Sequence, residues 1–216
     1  MTLAIELFLY LIATMLGLFF FIYRKSPLYF KLLFFAVACC LLEELYNFVY
    51  SICIGGAALT FSFATFASGA AFAFLYSANF GQFDSFVDDG SLEFKNARAI
   101  GFAAPIALAA VFVLTIIKSN YSIWHIALLL ICKLWAFFAC YYHLKHLILP
   151  DKIHFMVDAL RPCNLICLVY IFMNFLCDFT GAISAAAATK ILSLAMPLCL
   201  IAMIIAAEGG LRKWKI

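Results

Sequence analysis

Repeatedly along this chain, about 20 residues pass with almost no charge, which is the length an α-helix needs to cross the hydrocarbon core of a bilayer. Bounded by charge, Gly or Pro, these runs fall near 2–23, 28–54, 57–78, 99–117, 121–144, 153–178 and 184–207. They predict an all-α integral membrane protein with seven transmembrane helices in a single polytopic domain, 1–216. Composition agrees: 68% of residues are hydrophobic and 12% charged, against roughly half and a quarter in soluble domains. The 25 Phe, set against 5 Pro and 10 Gly, suit lipid-facing helices better than a porin-type barrel, which needs short alternating segments and frequent turns.

The first run has no basic segment before it and no small-residue cleavage pattern, so it is expected to stay as a helix. Gly55 and Gly56 mark a tight hairpin between the second and third runs, and Gly181 marks the turn between the last two. Arg24, Lys25, Lys31, Lys95, Arg98, Lys145, Lys152, Arg212, Lys213 and Lys215 all fall on one side of the predicted layer, with Lys118 alone opposite. Because Lys and Arg are retained on the cytoplasmic side, the N-terminus is expected outside and the C-terminus cytoplasmic, in a plasma membrane or a bacterial inner membrane. The basic residues cluster at helix ends and form no continuous patch, which argues against nucleic acid as a partner.

Seven spans in this orientation allow a 3+1+3 parallel repeat around a linker helix. Residues 16–23 (LGLFFFIY) align with 134–141 (LWAFFACY), and 46–57 (YNFVYSICIGGA) with 173–182 (MNFLCDFTGA), with a few gaps. In plan this is similar to the SWEET-type sugar transporters and the PnuC-type vitamin-precursor transporters, although none of their motifs is present and the likeness is one of topology alone.

Glu43 and Glu44 stand within one turn of the centre of the 28–54 run. An ionised carboxylate there costs roughly 2.5–3.5 kcal/mol, so lipid exposure is excluded. Glu43 shares a helical stripe with Asn47 and Tyr50, whereas Glu44 aligns with Cys40, Phe48 and Ser51. Lys133, midway along the 121–144 run, is the expected counter-ion of one of them, leaving the other to hold or exchange a proton. On a third stripe, Cys163, Cys167, Tyr170 and Asn174, Tyr170 and Asn174 are expected to face the same cavity between the second, fifth and sixth spans. Asp178 and Lys190, near the outer ends of successive spans, form a candidate outer gate, and Arg161 is expected to reach the headgroups or Asp158.

The connection from Asn79 to Arg98 carries Asp84, Asp88, Asp89 and Glu93. Phe80, Phe83 and Val87 predict a short amphipathic surface helix there, with the acids facing water as a cytoplasmic acidic loop. Its spacing fits neither an EF-hand nor a phosphatidyl-group transferase. His143, His146 and His154 gather at the cytoplasmic ends of the fifth and sixth spans and are expected at the headgroups, with His125 interfacial beside Trp124. The nine cysteines lie in apolar runs without zinc-type spacing and read as small packing residues. Lys190 lies too near its helix start to hold retinal. No metal or cofactor and no catalytic motif is expected.

Three classes of function follow. The first is a transporter or facilitator of a small polar solute, using a buried carboxylate and lysine cavity. The second is a seven-helix sensor or partner subunit signalling through the acidic loop, and the third an intramembrane lipid-modifying enzyme.

Overall fold

The computed structural model describes residues 2–54, 63–87, 91–119, 121–149 and 155–214. These are helical throughout apart from short connections, and no strand occurs among them. Helix α1 (Thr2–Gly17) continues into a π-helical turn at Leu18–Tyr23, and α2 (Leu28–Ile54) and α3 (Phe63–Val87) follow. Next come α4 (Leu92–Gly101), α5 (Ala103–Lys118), α6 (Ile123–Ile148), α7 (Phe155–Ala182) and α8 (Ala186–Trp214).

Local chemistry sets several ends. Ser91 and Ser122 cap α4 and α6, each side chain accepting a first-turn backbone N–H, from Phe94 and from His125. Pro105 has no N–H to give the Gly101 carbonyl, so α4 and α5 break around Phe102, yet both belong to one span, Leu92–Lys118.

Among the described residues, six helices are long and apolar enough to cross a membrane: Leu3–Tyr23, Leu28–Ile54, Leu92–Lys118, Ile123–Ile148, Ala159–Ala182 and Ala186–Lys213. The expected 57–78 run is not among them. Its described part lies in α3, where Ser68, Gly69, Ser77 and Asn79 dilute the apolar side chains. The expected surface helix over 80–87 is instead the last part of α3, which continues unbroken to Val87. Asp84 falls in that segment. Asp88, Asp89, His154 and the Gly55–Gly56 hairpin lie outside the described residues.

The outside of the bundle carries Phe8, Ile106, Ile117, Leu198 and Ile205, all exposed, while Glu6, Asn79, Lys133, His143 and Asn164 are buried. A bundle in water would place charge outside; an apolar exterior with polar groups inside is what hydrocarbon selects. This is a multi-pass membrane protein.

Packing closes a ring: α1 against α2, α2 against α3, α3 against α6, α6 against α7, α7 against α8, and α8 back against α1. Helix α5 packs against α6 and α7. Two contacts depend on missing side chains. A Cβ on Gly69 would sit 2.9 Å from the Cys132 carbonyl oxygen, and one on Gly210 would sit 2.6 Å from that of Ala159. Without a hydrophobic drive between helices in lipid, such close backbone approach is a main source of association.

Candidate functional site

Near one end of the ring, α1, α2, α7 and α8 enclose a cavity of about 200 Å³. Helix α2 contributes Cys40, Glu43, Glu44 and Asn47, spaced so that one face of two helical turns turns inward. Helix α7 contributes Asn174, Cys177 and Asp178, α1 contributes Tyr10, and α8 contributes Ser193 and Met196. Pro197 has no N–H to give the Ser193 carbonyl, so the α8 ladder lacks that bond beside the cavity wall.

Lys133 stands behind this wall on α6. It is 5% exposed, its Nζ donates to Asn174 Oδ1 at 2.8 Å and forms an ion pair with Asp178, and it lies 4.7 Å from the Phe175 ring centroid. The expected pairing of Lys133 with Glu43 or Glu44 is therefore corrected. Helix α6 packs on α7, so the short reach is to the carboxylate one turn above Asn174. The same contact replaces the expected Asp178–Lys190 gate, and Lys190 is exposed at the start of α8.

Glu44 faces Asn47 on its own helix and Glu6 on α1, and its Oε1 is buried with no hydrogen-bond partner among the described residues. Glu6 in turn accepts a hydrogen bond from Ser193 Oγ at 2.8 Å. Glu43 faces Ser68 of α3 and lies within electrostatic range of Lys133 and Asp178. Among the described residues no Lys or Arg pairs with either glutamate, so the cavity brings together more acid than base.

Of the residues expected at the site, Glu43, Glu44, Asn47 and Asn174 line the cavity. Tyr170 lies one turn beneath Asn174, with its hydroxyl 3.0 Å from Cys40 Sγ. Tyr50 is not in the lining and stacks on Tyr46. Glu6, Tyr10 and Ser193 are site residues that the expectation omitted. The sequence signal for the first two is an acid and a tyrosine spaced i, i+4 on the first span.

A second polar cluster occupies the other end of the ring. Asn79 Nδ2 donates to Asn164 Oδ1 at 3.1 Å and lies 2.7 Å from His143 Nδ1, while Asn79 Oδ1 lies 3.1 Å from His146 Nδ1. These residues are at most 2% exposed. The histidines expected at the headgroups are thus buried, held by α3 and α7. His125 is likewise buried, stacked on Tyr121 at 4.3 Å. No group of three or more His, Cys, Asp or Glu that could hold a metal occurs among the described residues. Arg161 donates to the Leu149 carbonyl at 2.6 Å.

No protein-family model matches the chain, and no curated protein or solved structure is significantly similar to it.

Proposed function

We propose that this protein carries a small polar solute across its membrane, with Glu43 and Glu44 as the groups that bind the solute or couple its passage to protons. The observation that carries the reading is a cavity at membrane depth lined by Glu43, Glu44 and Asp178, whose neighbouring lysine is already engaged by Asp178 and Asn174. Ionisable groups are costly inside a membrane and mark solute or proton pathways there. The excess of carboxylates favours a cationic solute, and Asn47, Asn174 and Tyr10 supply neutral hydrogen-bonding groups to orient it.

The reading extends to topology. Helix α3 is the seventh span, the N-terminus is outside and the C-terminus cytoplasmic, and α1–α3 and α6–α8 are parallel repeats linked by α4 and α5. The packing supports the repeat: α1 meets α2 as α6 meets α7, α2 meets α3 as α7 meets α8, and α3 meets α6 as α8 meets α1. Asn47 and Asn174, equivalent in the alignment of 46–57 with 173–182, both line the cavity.

Uptake into proteoliposomes tests the reading, with methylammonium and guanidinium as probes under an imposed pH gradient. The expected result is uptake above that of protein-free vesicles, lost in Glu43→Gln. Rates equal to protein-free vesicles for both probes contradict it.

A further inference from the structure

Cys40 lines the cavity and meets Tyr170 across the α2–α7 interface. Cys40 Sγ on α2 and Tyr170 Oη on α7 lie 3.0 Å apart, both buried, directly below Asn174. On the far side, Tyr29 Oη of α2 donates to Cys163 Sγ of α7 at 3.8 Å, and the residue after Cys163 is Asn164 of the inner polar cluster. Between the two polar regions the α2–α7 interface thus carries two separate thiol–phenol contacts. Leu33, Ala36 and Val37 fill the same level on α2.

Helices α2 and α7 are the equivalent members of the two repeats, and they are not among the closely packed backbone pairs of the ring. Side chains bridge them. A thiol is a weak hydrogen-bonding group, so breaking these bridges costs less than breaking an amide or carboxylate contact. Any rocking of one three-helix unit against the other would separate them first.

We propose that the Cys40–Tyr170 contact is the barrier between the acidic cavity and the Asn79, His143 and Asn164 cluster, and that the solute route runs along the α2–α7 interface past Cys163. This rests on the transport reading for its purpose, and its test is independent of uptake. The chain's own cysteines serve as reporters: exposed Cys53 as a standard, Cys163 beyond the barrier, and buried Cys140 on α6 as a control for general loosening.

The experiment labels the full chain in proteoliposomes with 2-aminoethyl methanethiosulfonate on both sides of the membrane and quantifies each cysteine by peptide mass spectrometry. Cys163 is expected to be protected in the parent, to label about ten-fold faster in Tyr170→Ala, and about three-fold faster in Tyr170→Phe, which keeps the ring, with Cys140 unchanged in both. Unchanged Cys163 labelling in both variants overturns the barrier, as does a parallel rise at Cys140 and Cys163 in both. If Cys163 opens as expected while no variant or parent takes up solute, the barrier stands and the transport reading fails. If uptake is present and Cys163 stays closed, the reverse holds.

Discussion

Lys133 on α6 makes its ion pair with Asp178 on α7, one turn above Asn174, whose side-chain Oδ1 also accepts a hydrogen bond from Nζ, and among the described residues this leaves Glu43 and Glu44 of α2 without a cationic partner. The buried lysine is used to fix α6 against α7. The two glutamates are thereby separated in role from the buried lysine of α6.

That separation is measurable as coupling. In detergent-solubilised protein, the double-mutant cycle of Lys133→Met with Asp178→Asn is expected to show an interaction of about 1–2 kcal/mol. Screening at the half-exposed Asp178 keeps this below the value of a fully buried pair. The same lysine variant combined with Glu43→Gln is expected to show less than about 0.5 kcal/mol. Chemical-denaturant or thermal unfolding gives both numbers.

The inner cluster is expected to behave as structure. Asn79 is bonded to Asn164 and to both His143 and His146, so Asn79→Leu takes a bond from three buried partners, while His143 and Asn164 keep the 2.9 Å contact between them. Loss of about 1–3 kcal/mol is expected. Because Ser68, Gly69, Ser77 and Asn79 dilute the apolar side chains of α3, the loss should be accompanied by faster proteolysis within α3 than within α8.

The crossing of α3 and α6 sets a steric prediction. Gly69→Val places a branched side chain where even a Cβ would lie 2.9 Å from a backbone oxygen, and about 2 kcal/mol of destabilisation or more is expected. Gly181→Ala meets nothing within 4 Å and should be neutral by comparison in the same unfolding assay.

The class of fold was legible because bilayer thickness writes itself directly into run length. Four cavity residues, Glu43, Glu44, Asn47 and Asn174, were legible because a carboxylate or amide at mid-membrane must face inward and helical spacing says which neighbours share its face. The partner of Lys133 was not legible, because depth along a helix does not reveal which helices are neighbours, and α6 packs on α7. Glu6 escaped because an acid four residues into a span reads as interfacial until α8 is seen to bring Ser193 against it. His143 and His146 were misplaced for the same reason: a histidine near a helix end looks wet unless another helix, here α3 with Asn79, covers it. The seventh run was read from length, but the small and polar residues of α3 dilute its apolar character.

In the transport reading, Glu43 and Glu44 belong to a water-accessible, acidic cavity. Charge-selective labelling of Cys177, a lining residue, tests this most directly. The rate with 2-aminoethyl methanethiosulfonate is compared with that of the 2-sulfonatoethyl reagent, each normalised to exposed Cys53. A preference for the cation of about ten-fold, falling in Glu43→Gln and Glu44→Gln, is the predicted result. Equal ratios at Cys177 and Cys53, or a Cys177 unreactive to both reagents, would contradict it.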